Sequence, residues 1–145
     1  MNAVAATAAV VVRRTITASP EVLFDAWLDP VAMSAWMRPG SIRFTEARVD
    51  PRVGGRYEII MHSATEIYPH TGTYRVIDRP RQLVFTWHSR GTEQRETLVT
   101  VDFVPRGGKT EVVVTHEQLP GSAQPSHTEG WASALEHLEE YAPVG

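Results

Sequence analysis

The chain contains no cysteine. This excludes a disulfide frame, a thiol nucleophile and a zinc–thiolate centre, and it fits a reducing, cytoplasmic setting. No apolar run reaches the roughly 18–20 residues that a membrane span needs. The opening MNAVAATAAVVV has no basic residues ahead of its apolar part, so it reads as a tail running into a strand rather than a secretory leader. No excess of positive charge is present: 14 basic residues stand against 17 acidic ones, a net charge of −3. The densest basic stretches are Arg13-Arg14 and Arg75 to Arg81, the latter broken by Asp78. A nucleic-acid surface is not expected from them. There is no serine elbow and no G-x-x-x-x-G-K loop; Gly54-Gly55 and Gly107-Gly108 read as hairpin turns. His62, His70, His88, His127 and His137 are scattered without metal-ligand spacing, so neither a metal nor a cofactor is expected.

A length of 145 residues suits one domain able to bury a sizeable core. The domain is placed at 10–145, behind a loose tail over 1–9. VVVRRTIT, from Val10 to Thr17, is a β-branched first strand. Ser19-Pro20-Glu21 and Asp29-Pro30 are two helix starts in quick succession, each a capping side chain followed by proline. From Ser41 to about Gln118, turn signals divide the chain into six strands near 41–49, 55–62, 70–78, 82–89, 95–104 and 110–118. Short turns between consecutive strands indicate an antiparallel meander. The phase slips between Ile42/Phe44 and Ala47/Val49, which suggests a bulge. LPGSAQPS reads as a loop. HTEGWASALEHLEEY, from His127 to Tyr141, then carries Trp131, Ala134, Leu135, Leu138 and Tyr141 on one helical stripe.

Alternation assigns one dry face to the sheet, holding Tyr57, Ile59, Met61, Tyr74, Val76, Leu83, Phe85, Trp87, Val99, Val101, Phe103, Val112, Val114 and His116. Seven strands at about 4.8 Å spacing span roughly 34 Å. A helix is only about 10–12 Å across. One terminal helix covers such a sheet only if the sheet curls around it, an α+β helix-grip architecture. A curled sheet stands away from a straight helix near its ends. The aromatic lining therefore either walls a small-molecule pocket or packs solid.

The strings RTITASPEVLFDAWLDPVAMSAWM (14–37), DPRVGGRYEI (50–59), GTYRVIDRPRQLVFTW (72–87), LVTVDF (98–103), TEVVVTHEQLP (110–120) and EGWASALEHLEEY resemble, in order and spacing, the homologues of the activator of the heat-shock protein 90 ATPase. These belong to the superfamily of START domains, polyketide cyclases and the birch-pollen allergen. The resemblance implies the helix-grip fold and, typically, an apolar small molecule held between sheet and helix. Catalysis occurs in a minority of members. A shared fold does not by itself fix a function.

Three readings follow. The first is a non-catalytic binder of a lipid- or polyketide-like molecule, walled by Trp36, Tyr57, Ile59, Met61, Tyr74, Phe85, Trp87, Val99, Val101, Phe103, Val114, His116, Trp131 and Leu135. The second is a protein-interaction or co-chaperone module, or a homodimer, docking through the acidic helix face of Glu129, Glu136, Glu139 and Glu140. The third is a cyclase- or hydrolase-type enzyme using His116 with a tyrosine. His116, on the dry face, is either a ligand partner or general base, or a histidine bonded to its surroundings at the sheet rim. Arg14, in phase with Ile16, needs a carboxylate, with Glu46 and Glu117 as candidates.

Overall fold

The computed structural model describes residues 7–142. Ten elements follow one another: β1 (Thr7–Ile16), α1 (Pro20–Ala26), α2 (Pro30–Trp36), β2 (Phe44–Val49), β3 (Arg56–His62), β4 (Ile67–Asp78), β5 (Gln82–His88), β6 (Glu96–Arg106), β7 (Lys109–Pro120) and α3 (Gln124–Tyr141). The strands form one antiparallel sheet in the order β1-β7-β6-β5-β4-β3-β2. β2 to β7 make a meander, and β1 closes onto β7. The α1–α2 pair carries the chain from one sheet edge to the other. This is the α+β helix-grip fold. Among the described residues no helix is long and apolar enough to cross a membrane.

The helix starts follow from their caps. The Ser19 hydroxyl accepts the Val22 amide at 3.2 Å, and the Asp29 carboxylate accepts the Val31 amide at 2.9 Å, with proline at the first helical position in both. α3 begins at Gln124, a turn before the expected His127. Pro125 falls in the first turn, where its missing amide proton has no helical acceptor to serve. β7 likewise continues to Pro120 because β1 starts at Thr7, before the expected Val10, and pairs with it. Residues 1–6 of the expected tail lie outside the described residues.

The phase slip near Phe44 is not a bulge. β2 pairs with β3 in unbroken register. Thr45, Ala47 and Val49 share the inward face, and the buried Thr45 hydroxyl donates to the Met37 carbonyl at 2.6 Å. Phe44 points outward, 52% exposed, and stacks on His62 at 4.1 Å. A bulge does occur between Tyr74 and Val76. It turns Val76 to solvent, against the expected alternation, and Ile77 packs on the core instead.

Near the bulge, the Tyr57 hydroxyl donates to the Thr86 carbonyl, and the Thr86 hydroxyl accepts the Thr73 amide at 2.8 Å. Gly72 lies against the Tyr57 ring and the Thr86 carbonyl, so only a residue without Cβ fits.

Under α3, Trp131, Ala134, Leu135 and Leu138 are buried, whereas Tyr141 is 42% exposed. Trp27 stacks on Trp131 at 5.9 Å and meets Trp36 at 4.8 Å, while Phe24 meets Phe103 at 5.2 Å. The middle of the sheet–helix interface is filled with rings. Arg14 pairs with neither Glu46 nor Glu117 but with Glu139 of α3, at 2.7 Å, both side chains partly exposed.

Candidate functional site

An open space with both apolar and polar walls lies at one end of the interface, beside the first turns of α3. An outer cleft of about 350 Å³ runs between the segment after α2 (Pro39 to Ile42), the start of β4 (Tyr68 to His70), the β5–β6 connection (Ser89 to Gly91) and the head of α3. Below it is an inner chamber of about 130 Å³. Met37, Pro39, Met61, Trp87, Trp131 and Ala134 supply its apolar wall, and His70, Ser126 and His127 its polar groups. Gly130 lies on the rim of both spaces, facing Pro39. The Gly40 amide donates to Ser133 on α3 at 3.1 Å and holds the post-α2 segment in place.

His70 and His127 are oriented by backbone. Each has Nδ1 on a carbonyl, Ile59 at 3.3 Å for His70 and Ala123 at 2.8 Å for His127. A carbonyl only accepts, so Nδ1 carries the proton and Nε2 is an acceptor with no protein hydrogen bond. Burial lowers the His70 pKa to about 4, with nearby His127 adding to the effect and the Ile59 and Tyr68 carbonyls opposing it. Burial also lowers the His127 pKa, opposed by the Ala123 carbonyl. Both rings are neutral near neutral pH. The indole N–H of Trp87 is buried without a partner. At the outer rim, Arg90 donates to the Ile67 carbonyl at 3.0 Å and lies 4.9 Å over the Tyr68 ring.

Of the residues singled out from sequence, Met61, Trp87 and Trp131 line the chamber. Tyr57, Ile59, Tyr74 and Phe85, together with Trp87, border a crevice of about 10 Å³, room for one water at most. Trp36, Val99, Val101, Phe103, Val114 and Leu135 are packed in the core. His116 is fully buried and uses both nitrogens. The Trp131 indole donates to its Nδ1 at 3.0 Å. Its Nε2 lies 2.7 Å from the Thr97 hydroxyl, which donates onward to the Trp87 carbonyl at 2.7 Å. His116 is therefore the Nε2–H tautomer, and burial, with His127 nearby, lowers its pKa to about 3.

Met37, Pro39, His70, Ser126, His127, Gly130 and Ala134 complete the chamber beyond that set. Two carried a readable signal. His127 sits one turn before Trp131 on the same stripe, and His70 is in phase with Gly72 and Tyr74 along β4. Among the described residues no cluster of three or more His, Asp or Glu side chains is arranged to hold a metal.

Comparison with known proteins agrees with this architecture. The family model for Activator of Hsp90 ATPase homolog 1-like protein matches residues 17–142. A Chromobacterium violaceum protein of known structure superposes with a TM-score of 0.80 at 21% identity, covering 93% of this chain and 97% of its own. A Rhodobacter sphaeroides protein gives 0.77 at 25% identity, covering 91% and 90%. An HSP90 activator from Plasmodium falciparum gives 0.72 at 26% identity, covering 91% and 94%. No curated protein matches the sequence.

Proposed function

Since the chain belongs to the Activator of Hsp90 ATPase homolog 1-like family, whose fold encloses space between sheet and terminal helix, we propose that it binds a mainly apolar small molecule in the cleft at the head of α3, without chemical conversion. The observation that carries this reading is the two-part cavity. The outer space of about 350 Å³ is at the lower end of the range for small-molecule sites. The inner chamber, about 130 Å³ and walled by Met37, Met61, Trp87 and Trp131, compares with cavities of about 150 Å³ that accept one benzene ring. The state of His116 favours binding over catalysis: with both nitrogens engaged inside the core, it has no lone pair to offer a substrate.

Calorimetric titration with a panel of alkylbenzenes, alkylphenols and medium-chain fatty acids tests this. Saturable binding of one molecule per chain is expected for at least one class. Gly130→Leu, which projects a side chain from the rim toward Pro39, is expected to abolish it while the thermal transition remains cooperative. Failure of the whole panel, or unchanged binding by Gly130→Leu, overturns the reading.

A second reading, docking to a chaperone, is favoured by the similarity to the Plasmodium HSP90 activator. Against the acidic α3 face as its surface, Glu139 is already paired with Arg14 and Glu129 borders the cleft. Adding the chain to a purified Hsp90-type ATPase tests it; an unchanged turnover rate removes this reading.

A further inference from the structure

Resting on the small-molecule reading above, we infer that the inner chamber selects an uncharged aromatic hydroxyl compound, a phenol, with the ring between Met37, Met61, Trp87 and Trp131 and the hydroxyl at the imidazoles of His70 and His127. The acceptors left unpaired at this end of the core belong to the two imidazoles. His70 and His127 have each committed Nδ1–H to a backbone carbonyl, leaving two Nε2 acceptors without protein partners. A phenolic hydroxyl is a strong neutral donor, so it pairs with one of these imidazoles.

Other ligand classes match this arrangement less well. A pure hydrocarbon of the same shape fills the chamber but leaves its polar atoms unpaired once water is displaced, at about 1–3 kcal/mol for each group. A carboxylate meets acceptors that repel it, and the chamber wall contains no lysine or arginine to balance its charge. An ammonium group finds no carboxylate there for the same reason. Burial keeps the two imidazoles neutral, which preserves them as acceptors. The outer cleft, open above Pro39 and Tyr68, accepts a substituent on the ring, so alkylated phenols fit better than phenol itself.

The test titrates the full chain with three probes that differ only in the group para to the ethyl chain: 4-ethylphenol, ethylbenzene and 4-ethylbenzoate. Calorimetry gives the affinities, and ¹H–¹⁵N spectra follow the indole N–H resonances of the four tryptophans. The expected result is 4-ethylphenol binding at least about tenfold more tightly than either analogue, as pairing one or two otherwise unsatisfied groups predicts. The Trp87 and Trp131 indole resonances are expected to shift with any probe whose ring enters the chamber, which both residues wall. His127→Phe is expected to reduce the preference for phenol over ethylbenzene to about threefold or less, and His70→Leu to act in the same direction. Equal binding of ethylbenzene and 4-ethylphenol leaves the chamber as a binding site but overturns its polar selectivity. Tightest binding of 4-ethylbenzoate overturns it in favour of an anion site. Binding of none of the three removes the inference, and the small-molecule reading then stands or falls on the wider panel.

Discussion

The indole N–H of Trp131 donates to Nδ1 of His116 at 3.0 Å, joining the terminal helix to the last strand deep inside the domain. The bond extends through Thr97 to the Trp87 carbonyl, so four elements, α3, β7, β6 and β5, share one continuous set of hydrogen bonds. Such a network is stabilising only when every member is satisfied.

Breaking it from either end is therefore costly. Trp131→Phe leaves Nδ1 of His116 buried without a donor and opens space beside Trp27 and Trp87. A loss of about 2–4 kcal/mol is expected, read as a lower urea midpoint at unchanged m-value. His116→Leu strands the Trp131 indole and should fall in the same range.

His116, which is buried, and His70, which is half-buried, make the fold acid-sensitive. His116 and His70 titrate at about 3 and 4 in the folded chain, against about 6.5 when unfolded. Between these values the unfolded chain binds more protons, so stability falls as pH drops below about 6.5. Each group contributes a slope of up to about 1.4 kcal/mol per pH unit, and above about pH 7 these groups contribute none. Urea titrations at about pH 7 and pH 5 check this. His70→Leu should flatten the dependence; equal stability at the two pH values would contradict it.

Gly72→Ala should be among the most damaging single-methyl additions. The new Cβ meets the Tyr57 ring and hydroxyl and the Thr86 carbonyl, neither of which has room to retreat. A loss of about 3 kcal/mol or more is expected by chemical denaturation. Tyr57→Phe, which removes only the hydroxyl, should cost about 1 kcal/mol.

Gly130→Ala should do the opposite. Gly130 lies inside α3, and its Cβ would meet only Pro39, at an ordinary 3.8 Å. Gains in helix propensity of about 0.8–1 kcal/mol predict a melting temperature higher by a few degrees in differential scanning calorimetry.

Local chemistry made most of this architecture legible. Ser19-Pro20 and Asp29-Pro30 announced α1 and α2 because capping side chains and proline act within a few residues. Alternation through β3, β5, β6 and β7 announced the dry face because a strand exposes its sides in turn. The exceptions had non-local causes. The bulge expected near Phe44 is absent: β2 keeps one register, with Phe44 outward and Thr45 inward, where Thr45 finds the Met37 carbonyl. Val76 turned outward at a bulge between β4 and β5. Arg14 took Glu139, 125 positions away.

The open space was less legible. A curled sheet on a straight helix implies a gap near an end, but not which end. Trp27, Trp36, Phe24 and Phe103 fill the middle, while at the head of α3 glycine, serine and histidine replace large side chains. The periodicities alone determined a seven-stranded sheet gripping one terminal helix, because they record which side of each element meets water. The tertiary structure decided where the cavity lies and which of the six histidines face it, because volume and hydrogen-bond partnership depend on residues far apart in the chain and close only in the fold.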